Sequence, residues 1–343
     1  APAPAGPAGD VVSAVPALQA FVERERGLAF KAPVDVTALD DAAFEARLTE
    51  SNEEDDKEVR DAEAVLEAMG LLDPEVDLLS TVKRFSAGAV VGFYDTETDE
   101  LVVRGSEATA SVRSTLVHEL THAVEDQHFD LHRPDLGDEA FLGFQALAEG
   151  SAVRVEERYR GTLSSDERRQ AARDEAVRAA QVPSNLPEVV QIAFAFPYSF
   201  GPRLVAALVR AGGQARLDAA YARPPASTEQ VLEPERYLRG DEPRQVPVPR
   251  ADAPAFDDGE IGQLFLVLML DAELDDDEAT AAADGWGGDR YVAWKDGART
   301  CVRANFVMDT PRDTARLTDA LARWAAERGP RASASGTSVT TCA

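Results

Sequence analysis

Two histidines four residues apart form the segment of this sequence best suited to chemistry. They stand in Val117-His118-Glu119-Leu120-Thr121-His122, which matches the pattern His-Glu-x-x-His. On an α-helix, residues four apart share a face, so both imidazoles can reach one metal ion. Glu119 is expected to point beside that ion and to act as general base on a water whose pKa zinc lowers to about 7. The pattern therefore predicts a Zn2+ centre with His118 and His122 as ligands and Glu119 as catalytic base.

The surrounding stretch has the periodicity of an amphipathic helix that begins near Ser111. At about 100° of rotation per residue, its apolar positions form one stripe, and the two histidines project from roughly the opposite side. Ser111 and Thr115, on the histidine side, are small enough to leave room for an ion and a substrate. The stripe consists of Leu116, Val117, Leu120, Ala123 and Val124. We therefore expect a functional pair of histidines; the alternative is a solvent-exposed helix that carries the pair by accident.

A catalytic zinc ion takes three protein ligands and keeps one position open, so a third ligand is required. The remaining histidines are poorly placed, because His128 lies on a different helix face and His132 stands just before a proline. Glu149 is the better candidate, since it lies in a small, apolar stretch where a carboxylate is costly to bury unless it binds a cation. The rival carboxylates are Glu156, Glu139 and Asp138.

Three further side chains are candidates for supporting roles. Asp126, four residues beyond His122, could orient an imidazole or could be an ordinary exposed acid. Tyr198 and Tyr237 are candidate catalytic residues, because a phenol can donate a hydrogen bond to a developing oxyanion. Simple packing is the alternative for both tyrosines.

This arrangement resembles the gluzincin class of zinc metallopeptidases, in which His-Glu-x-x-His on one helix is completed by a glutamate from a following helix. The matching residues are His118, Glu119, His122 and Glu149, and Glu149-Gly-Ser-Ala152 is similar to the Glu-x-x-Ala variant of that class. The resemblance implies a zincin-like fold, hydrolysis of peptide or protein substrates, and a strand edge beside the cleft that holds an extended substrate.

The chain also resembles a group of uncharacterised secreted or surface proteins of haloarchaea and actinobacteria. The similar segments are Gly92 to Asp95, His118 to Asp130, Ala148 to Gly150, Arg223 to Leu232 and Gly285 to Arg290. In that group the stretch after Gln230 usually reads Leu-His-Pro-Glu, whereas here it reads Leu232-Glu233-Pro234-Glu235. The missing histidine motivates an alternative function, a surface or envelope zinc-binding protein with degenerate or lost peptidase activity. A zinc hydrolase acting on a non-peptide amide is a further alternative.

The amino-acid composition and the two cysteines indicate which binding partners and which cellular location to expect for this protein. The 62 acidic and 35 basic residues give a net charge of -27, which repels polyanions and disfavours nucleic acid as a partner. No apolar run is judged long enough for the roughly 20 residues of a transmembrane span. The opening Ala-Pro-Ala-Pro-Ala-Gly-Pro-Ala-Gly is typical of a tail left by a cleaved export signal. A disulfide between Cys301 and Cys342 would fit a secreted or cell-surface protein; two unrelated buried thiols are the alternative.

Hydrophobic periodicity predicts an α+β fold, predominantly helical around the His-Glu-x-x-His helix, with an upstream antiparallel sheet. We expect a disordered tail at residues 1–10 and an N-terminal α/β region at 11–106. In that region, Ala89 to Tyr94 and Leu101 to Arg104 form a hairpin that could present the substrate edge or an internal strand. A helical zinc-binding region follows at 107–254. The last region, 255–343, is expected to hold a helix and a small β-β-α-β unit.

Overall fold

The computed structural model describes residues 10–183 and 185–343, so the tail expected at residues 1–9 lies outside the described residues. The fold is α+β, with most of the described chain in helices and the strands in two sheets. Asp10 already pairs with Glu107 in an isolated β-bridge, so the expected tail does not extend to residue 10.

The described residues form thirteen α-helices and eight strands. The helices are α1 (Val11–Arg26), α2 (Asp41–Leu48), α3 (Glu53–Met69), α4 (Leu78–Ala89), α5 (Ala110–Phe129), α6 (Asp138–Thr162), α7 (Ser165–Ala179), α8 (Glu188–Ala222), α9 (Thr228–Leu232), α10 (Pro234–Arg239), α11 (Gly262–Asp271), α12 (Asp276–Ala283) and α13 (Pro311–Arg328). The strands are β1 (Asp35–Leu39), β2 (Gly92–Asp95), β3 (Glu100–Arg104), β4 (Ala255–Gly259), β5 (Trp286–Asp296), β6 (Arg299–Met308), β7 (Ala332–Ser335) and β8 (Ser338–Cys342).

The first sheet has three strands in the order β1-β3-β2 and lies next to α5, the helix that carries His118 and His122. The predicted hairpin forms from β2 and β3, but β1 pairs with β3 in parallel, so the sheet is mixed rather than antiparallel. The first hairpin strand is shorter than predicted, because the helix capped by Asp77 continues to Ala89. Since β3 is internal, β1 and β2 are the two edge strands of this sheet.

Helix α5 is buried on nearly every side. Its N-terminus is capped by Thr109, whose hydroxyl accepts a hydrogen bond from the amide of Val112. Its apolar side packs against α1 and β3 in one core that contains Leu116 and Leu120. The opposite side is buried as well, since His118 is only 8% exposed. The two histidines therefore do not lie on a solvent-exposed helix.

Two glycines bring α6 and α8 into close contact. A Cβ atom on Gly201 would lie 2.1 Å from the carbonyl oxygen of Ala146, and one on Gly150 would lie 2.3 Å from the carbonyl carbon of Gly201. Only glycine fits such an approach of two backbones. Gly150 therefore admits α8 rather than α5. Ser151 is the residue of this stretch that faces α5, and its hydroxyl donates to Glu125.

Helix α8 is the longest helix among the described residues. It begins at Glu188 and contains a kink where Gly212 and Gly213 leave helical geometry. By length and composition alone it would be long and apolar enough to cross a membrane, a property missed in the sequence analysis. Leu204, Leu208 and Leu217 of this helix are buried against α6 in a core cluster. Of its most apolar stretch of 18 residues, 39% is buried inside the fold.

The second sheet and three helices form a C-terminal unit. The strand order is β4-β5-β6-β8-β7, and every neighbouring pair is antiparallel. The predicted β-β-α-β elements are present, extended by β4 and β7. A disulfide joins Cys301 of β6 to Cys342 of β8, which are opposite each other in the register, so the alternative of unrelated thiols is wrong. Helix α3 contributes Met69 to the same core, which ties the N-terminal region to this unit.

The segment between α8 and β4 is rich in proline. Two short helices interrupt it, α9 and α10. Ser227 caps the first by accepting a hydrogen bond from the amide of Gln230, and Pro234 begins the second. Both are common ways to start a helix, and they outweigh the prolines nearby.

Candidate metal centre

Three side chains that can bind a metal meet at the floor of a cleft. Helix α5 supplies His118 and His122, and α6 supplies Glu149. The Oε2 atom of Glu149 lies 2.9 Å from Nε2 of His118 and 3.4 Å from Nε2 of His122. One ligand atom from each residue lies within 4.8 Å of the other two. The structure therefore brings together a possible metal-binding group from the residues that the sequence pattern proposed.

The donor set and its spacing fit a small divalent cation. Ligand atoms about 2.1 Å from a tetrahedral zinc ion lie about 3.4 Å from one another, close to the separations between Glu149 and the two imidazoles. Two imidazole nitrogens and one carboxylate leave a fourth position open. The same donors also suit other divalent transition metals, so the geometry does not select among them.

Glu156 orients His118 rather than completing the metal-binding group. Its Oε2 atom lies 3.1 Å from Nδ1 of His118, while Nε2 of the same ring points at Glu149. Arg160 in turn donates from Nε to the other Glu156 oxygen at 2.8 Å. Glu156 lies seven residues after Glu149, two helical turns along the same face, and that spacing was the sequence signal for this contact. Carboxylates in this position fix the tautomer and orientation of a metal-binding imidazole.

The other rival carboxylates are engaged elsewhere. Glu139 is buried and accepts hydrogen bonds from the amide and hydroxyl of Thr228 at 2.7 and 2.8 Å. Asp138 accepts from the amide of Glu260 at 3.0 Å. Neither lines the cleft that holds the histidines. Of the acidic residues considered as ligands, Glu149 is the one that reaches both imidazoles.

The buried charges of the cluster stabilise one another. Burial alone would lower the pKa of His118, but its hydrogen bonds to Glu149 and Glu156 raise that pKa well above its ordinary value. Burial alone would raise the pKa of Glu149, but the neighbouring His122 and His118 hold it well below its usual range. The contacts within the group thus favour the protonated forms of the imidazoles and the ionised form of the carboxylate. A bound cation would compete with those protons.

Glu119 lies beside the group and is held by the first sheet. Its Oε2 atom accepts a hydrogen bond of 3.0 Å from the amide of Tyr94 in β2. The side chain is buried, and burial raises its pKa despite the nearby imidazoles. This backbone contact depends on the packing of β2 against α5, and no local sequence pattern predicts it.

Of the two candidate tyrosines, the structure places one at the cluster. The ring of Tyr198 stacks on His118 with a centroid distance of 6.1 Å, and α8 carries it three residues before Gly201. Partial burial and the charges of Glu149 and Glu119 raise the pKa of this phenol, so it stays protonated. Tyr237 does not line the cleft; its hydroxyl donates to the carbonyl of Arg223 at 2.7 Å.

Asp126 and the two remaining histidines also lie away from the cluster. Asp126 accepts from the hydroxyl of Tyr94 at 2.9 Å and from the amide of Leu131 at 2.6 Å, and it contacts neither imidazole. It therefore supports β2 and the end of α5 rather than His122. A ring nitrogen of His128 lies 2.8 Å from the carbonyl of Ala29, and His132 is not part of the metal-binding group.

The cleft above the group is large enough for a peptide. Its volume is about 1040 Å³, and β2, α4, α5, α6, α7 and α8 contribute to its wall. One side is apolar, with Phe85, Phe93 and Phe194. Two arginines, Arg160 and Arg178, line the side formed by α6 and α7. The arrangement thus offers a cation site, a buried carboxylate and a protonated phenol along one open channel.

Comparison with known proteins covers the C-terminal unit alone. Residues 251–342 match the model of a family described as a domain of unknown function, DUF8575. No curated protein and no solved structure matches the chain significantly. The matched residues include the five-stranded sheet but none of His118, Glu119, His122 and Glu149. The comparison therefore leaves the candidate metal centre to be interpreted from its own geometry.

Proposed function

We propose that this protein is a secreted zinc metallopeptidase of the gluzincin kind with a zincin-like fold. The observation that carries the proposal is the convergence of His118, His122 and Glu149 in a cleft, with Glu119 beside them. The free edge of β2 along the cleft is suited to an extended peptide chain. The disulfide between β6 and β8 supports an extracytoplasmic location, because such bonds are rare in reducing compartments.

The proposed reaction uses the protein's own groups to move one proton. A zinc ion in this site would polarise the substrate carbonyl and lower the pKa of a water molecule. Glu119 takes a proton from that water as the water oxygen bonds to the carbonyl carbon. The same carboxyl then gives the proton to the amide nitrogen as the carbon–nitrogen bond breaks, so one water is consumed per peptide bond. The Tyr94 amide holds one oxygen of Glu119, which leaves the other for the proton.

Tyr198 is the proposed donor to the developing oxyanion. It stacks on His118 and its raised pKa keeps the phenol protonated at neutral pH. A donor placed where charge develops in the transition state lowers the barrier more than one that binds the ground state. Tyr237, the second candidate, is not proposed for this role because it lies outside the cleft.

The alternative function, a zinc-binding surface protein without peptidase activity, rests on the glutamate that replaces a histidine of similar proteins. That residue, Glu233, lies 3.1 Å from the Nε atom of Arg236, and it does not line the cleft. The replacement therefore removes no side chain from around the metal-binding group. This placement favours the peptidase proposal over the alternative.

The substitution Glu119→Gln tests the proposal most directly. We expect the variant to bind as much zinc as the parent, by elemental analysis, and to hydrolyse a fluorescence-quenched peptide library about two to four orders of magnitude more slowly. Glu157→Gln is the matched control, because Glu157 is an exposed residue of α6 and next to Glu156. Equal hydrolysis by parent and Glu119→Gln would refute the mechanism. Stoichiometric zinc without any hydrolysis by the parent would favour the alternative function.

A further inference from the structure

Arg178 is an arginine of the cleft that forms no ion pair with the residues described by the structure. Its Nη2 atom donates to the hydroxyl of Ser111 on α5. The other arginine on this side, Arg160, is engaged by Glu156 and Glu175 at 2.8 and 2.6 Å. Of the two arginines that line the cleft, Arg178 is thus the one without a carboxylate partner among the described residues. The side chain lines the cleft, so its remaining N–H groups can meet a ligand there.

The contact with Ser111 fixes how far Arg178 lies from the metal-binding group. Ser111 precedes His118 by seven residues on one continuous helix. At a rise of 1.5 Å per residue, this separation is about 10 Å along the helix axis. An extended peptide covers that distance in about three residues.

The direction of β2 shows which part of a bound peptide would reach Arg178. A Cβ atom on Gly92 would lie 3.3 Å from the Thr115 side chain, and the next residue but one, Tyr94, bonds Glu119. Strand β2 and helix α5 thus run in the same direction along the cleft. A peptide that pairs with β2 in the more stable antiparallel sense runs the opposite way. Its C-terminal part then extends past Thr115 towards Ser111 and Arg178.

We propose that Arg178 binds a carboxylate of the substrate, located about two or three residues beyond the scissile bond on its C-terminal side. The inference rests on the proposed peptidase function and specifies its substrate class. A guanidinium can bind a carboxylate through two parallel hydrogen bonds, and it would repel an N-terminal ammonium group in the same place. The carboxylate is either the C-terminus of a peptide or the side chain of an aspartate or glutamate. With a C-terminus there, the products would be dipeptides or tripeptides.

Peptide binding to a protein that does not turn over separates this inference from the proposed function. In the zinc-loaded Glu119→Gln background, fluorescence anisotropy would compare labelled, randomised peptides that end in a free carboxylate with the same peptides ending in an amide. We expect the acid to bind about tenfold more tightly than the amide. Adding Arg178→Gln should abolish the difference, whereas Arg178→Lys should retain part of it. Arg173→Gln is the matched control, since Arg173 lies on α7, is exposed, and bonds only Gln170.

A second pair of probes distinguishes the two sources of the carboxylate. Amidated peptides with glutamate or glutamine at one fixed position report on an acidic side chain instead of a C-terminus. The inference is supported if the peptide with the carboxylate binds more tightly in either pair and Arg178→Gln removes this preference without changing the unfolding temperature. The pair that shows the preference identifies the carboxylate as a C-terminus or as an acidic side chain. Equal binding within both pairs, no binding of any probe, or an acid preference that survives Arg178→Gln overturns it. Hydrolysis by the zinc-loaded parent protein is measured in a separate assay. An inactive parent would therefore refute the peptidase proposal, whereas the binding assay decides the role of Arg178.

Discussion

The region around α5 and the C-terminal unit differ in the kinds of side chain that they bury. Around α5, the buried residues include His118, Glu119 and the ion pair of Arg26 with Glu125. The core of the C-terminal unit is mostly apolar, with Trp286 and Trp324 among its largest fully buried side chains. Burying apolar surface stabilises a fold, whereas burying charges stabilises it little even when they are paired. This difference indicates that the C-terminal unit contributes mainly to stability, whereas the α5 region holds buried polar and charged groups in place.

The buried carboxylate of the C-terminal unit sharpens this difference. Asp289 accepts hydrogen bonds from the amides of Ile261 and Gly262, both at 2.8 Å, and from Nε1 of Trp286 at 2.9 Å. Burial nevertheless raises the pKa of Asp289 to about 6. All three donors belong to the fold itself, so this carboxylate fixes the start of α11. Glu149, in contrast, faces the two imidazoles of His118 and His122, which could bind a metal ion together with it.

The largest expected effect on stability belongs to the C-terminal core. Trp324 on α13 is fully buried, so Trp324→Ala should lower the free energy of unfolding by about 4 kcal/mol through lost burial and a cavity. Urea unfolding followed by circular dichroism would measure it. The adjacent Arg323 pairs with Glu278 in an exposed ion pair, and Arg323→Ala should cost no more than about 0.5 kcal/mol. A cost below about 1 kcal/mol for the tryptophan would contradict the stabilising role assigned to this unit.

The second prediction concerns the buried ion pair between Arg26 of α1 and Glu125 of α5. Unlike the apolar core, this pair should contribute little net stability, although removing one partner alone should be costly. Glu125 accepts from Arg26 and from the hydroxyl of Ser151, while Arg26 also donates to Asp218 at 2.6 Å. Removing the charge with Glu125→Gln should cost about 3 kcal/mol, because Arg26 keeps only a half-exposed partner. Replacing both residues, as Arg26→Met with Glu125→Leu, should cost less than the single change.

A double-mutant comparison by urea unfolding would check this prediction. If the apolar double variant lost more stability than Glu125→Gln, the charges themselves would be stabilising. The contrast between the two regions would then be wrong. If the double variant were stable but bound zinc more weakly, the pair would serve to position α5 against α6.

The local sequence predicted the elements of the site more reliably than the contacts between them. The His-Glu-x-x-His spacing and the small, apolar surroundings of Glu149 were enough to anticipate the metal-binding group, because helical periodicity and the cost of burying a charge are local properties. The predicted strands of the C-terminal unit were also found, since alternation and turn residues mark them.

The sequence could not show which elements, distant along the chain, pack against each other. Gly150 and Gly201 are far apart in the sequence, and only the packing of α6 against α8 shows that they lie opposite each other. Tyr198 and Tyr237 were equivalent as phenols in the sequence, and the path of α8 brings only Tyr198 to His118. The parallel pairing of β1 with β3 likewise depends on a long connection that periodicity does not specify. Residues that look equivalent in the local sequence therefore differ in role because of their long-range contacts.

The smallest of the three predicted effects concerns Glu156, which holds His118 without belonging to the metal-binding group. Glu156→Gln should weaken zinc binding about 10- to 100-fold, because the imidazole loses the carboxylate that fixes its orientation. Competition with a chromophoric chelator would measure the affinity, and Glu157→Gln on the same helix is the control. The metal-free variant should unfold within about 1 kcal/mol of the parent, since the contact orders one ring and the side chain lies at the cleft. Unchanged zinc affinity, or a large loss of stability without zinc, would show that this contact serves the fold rather than the metal.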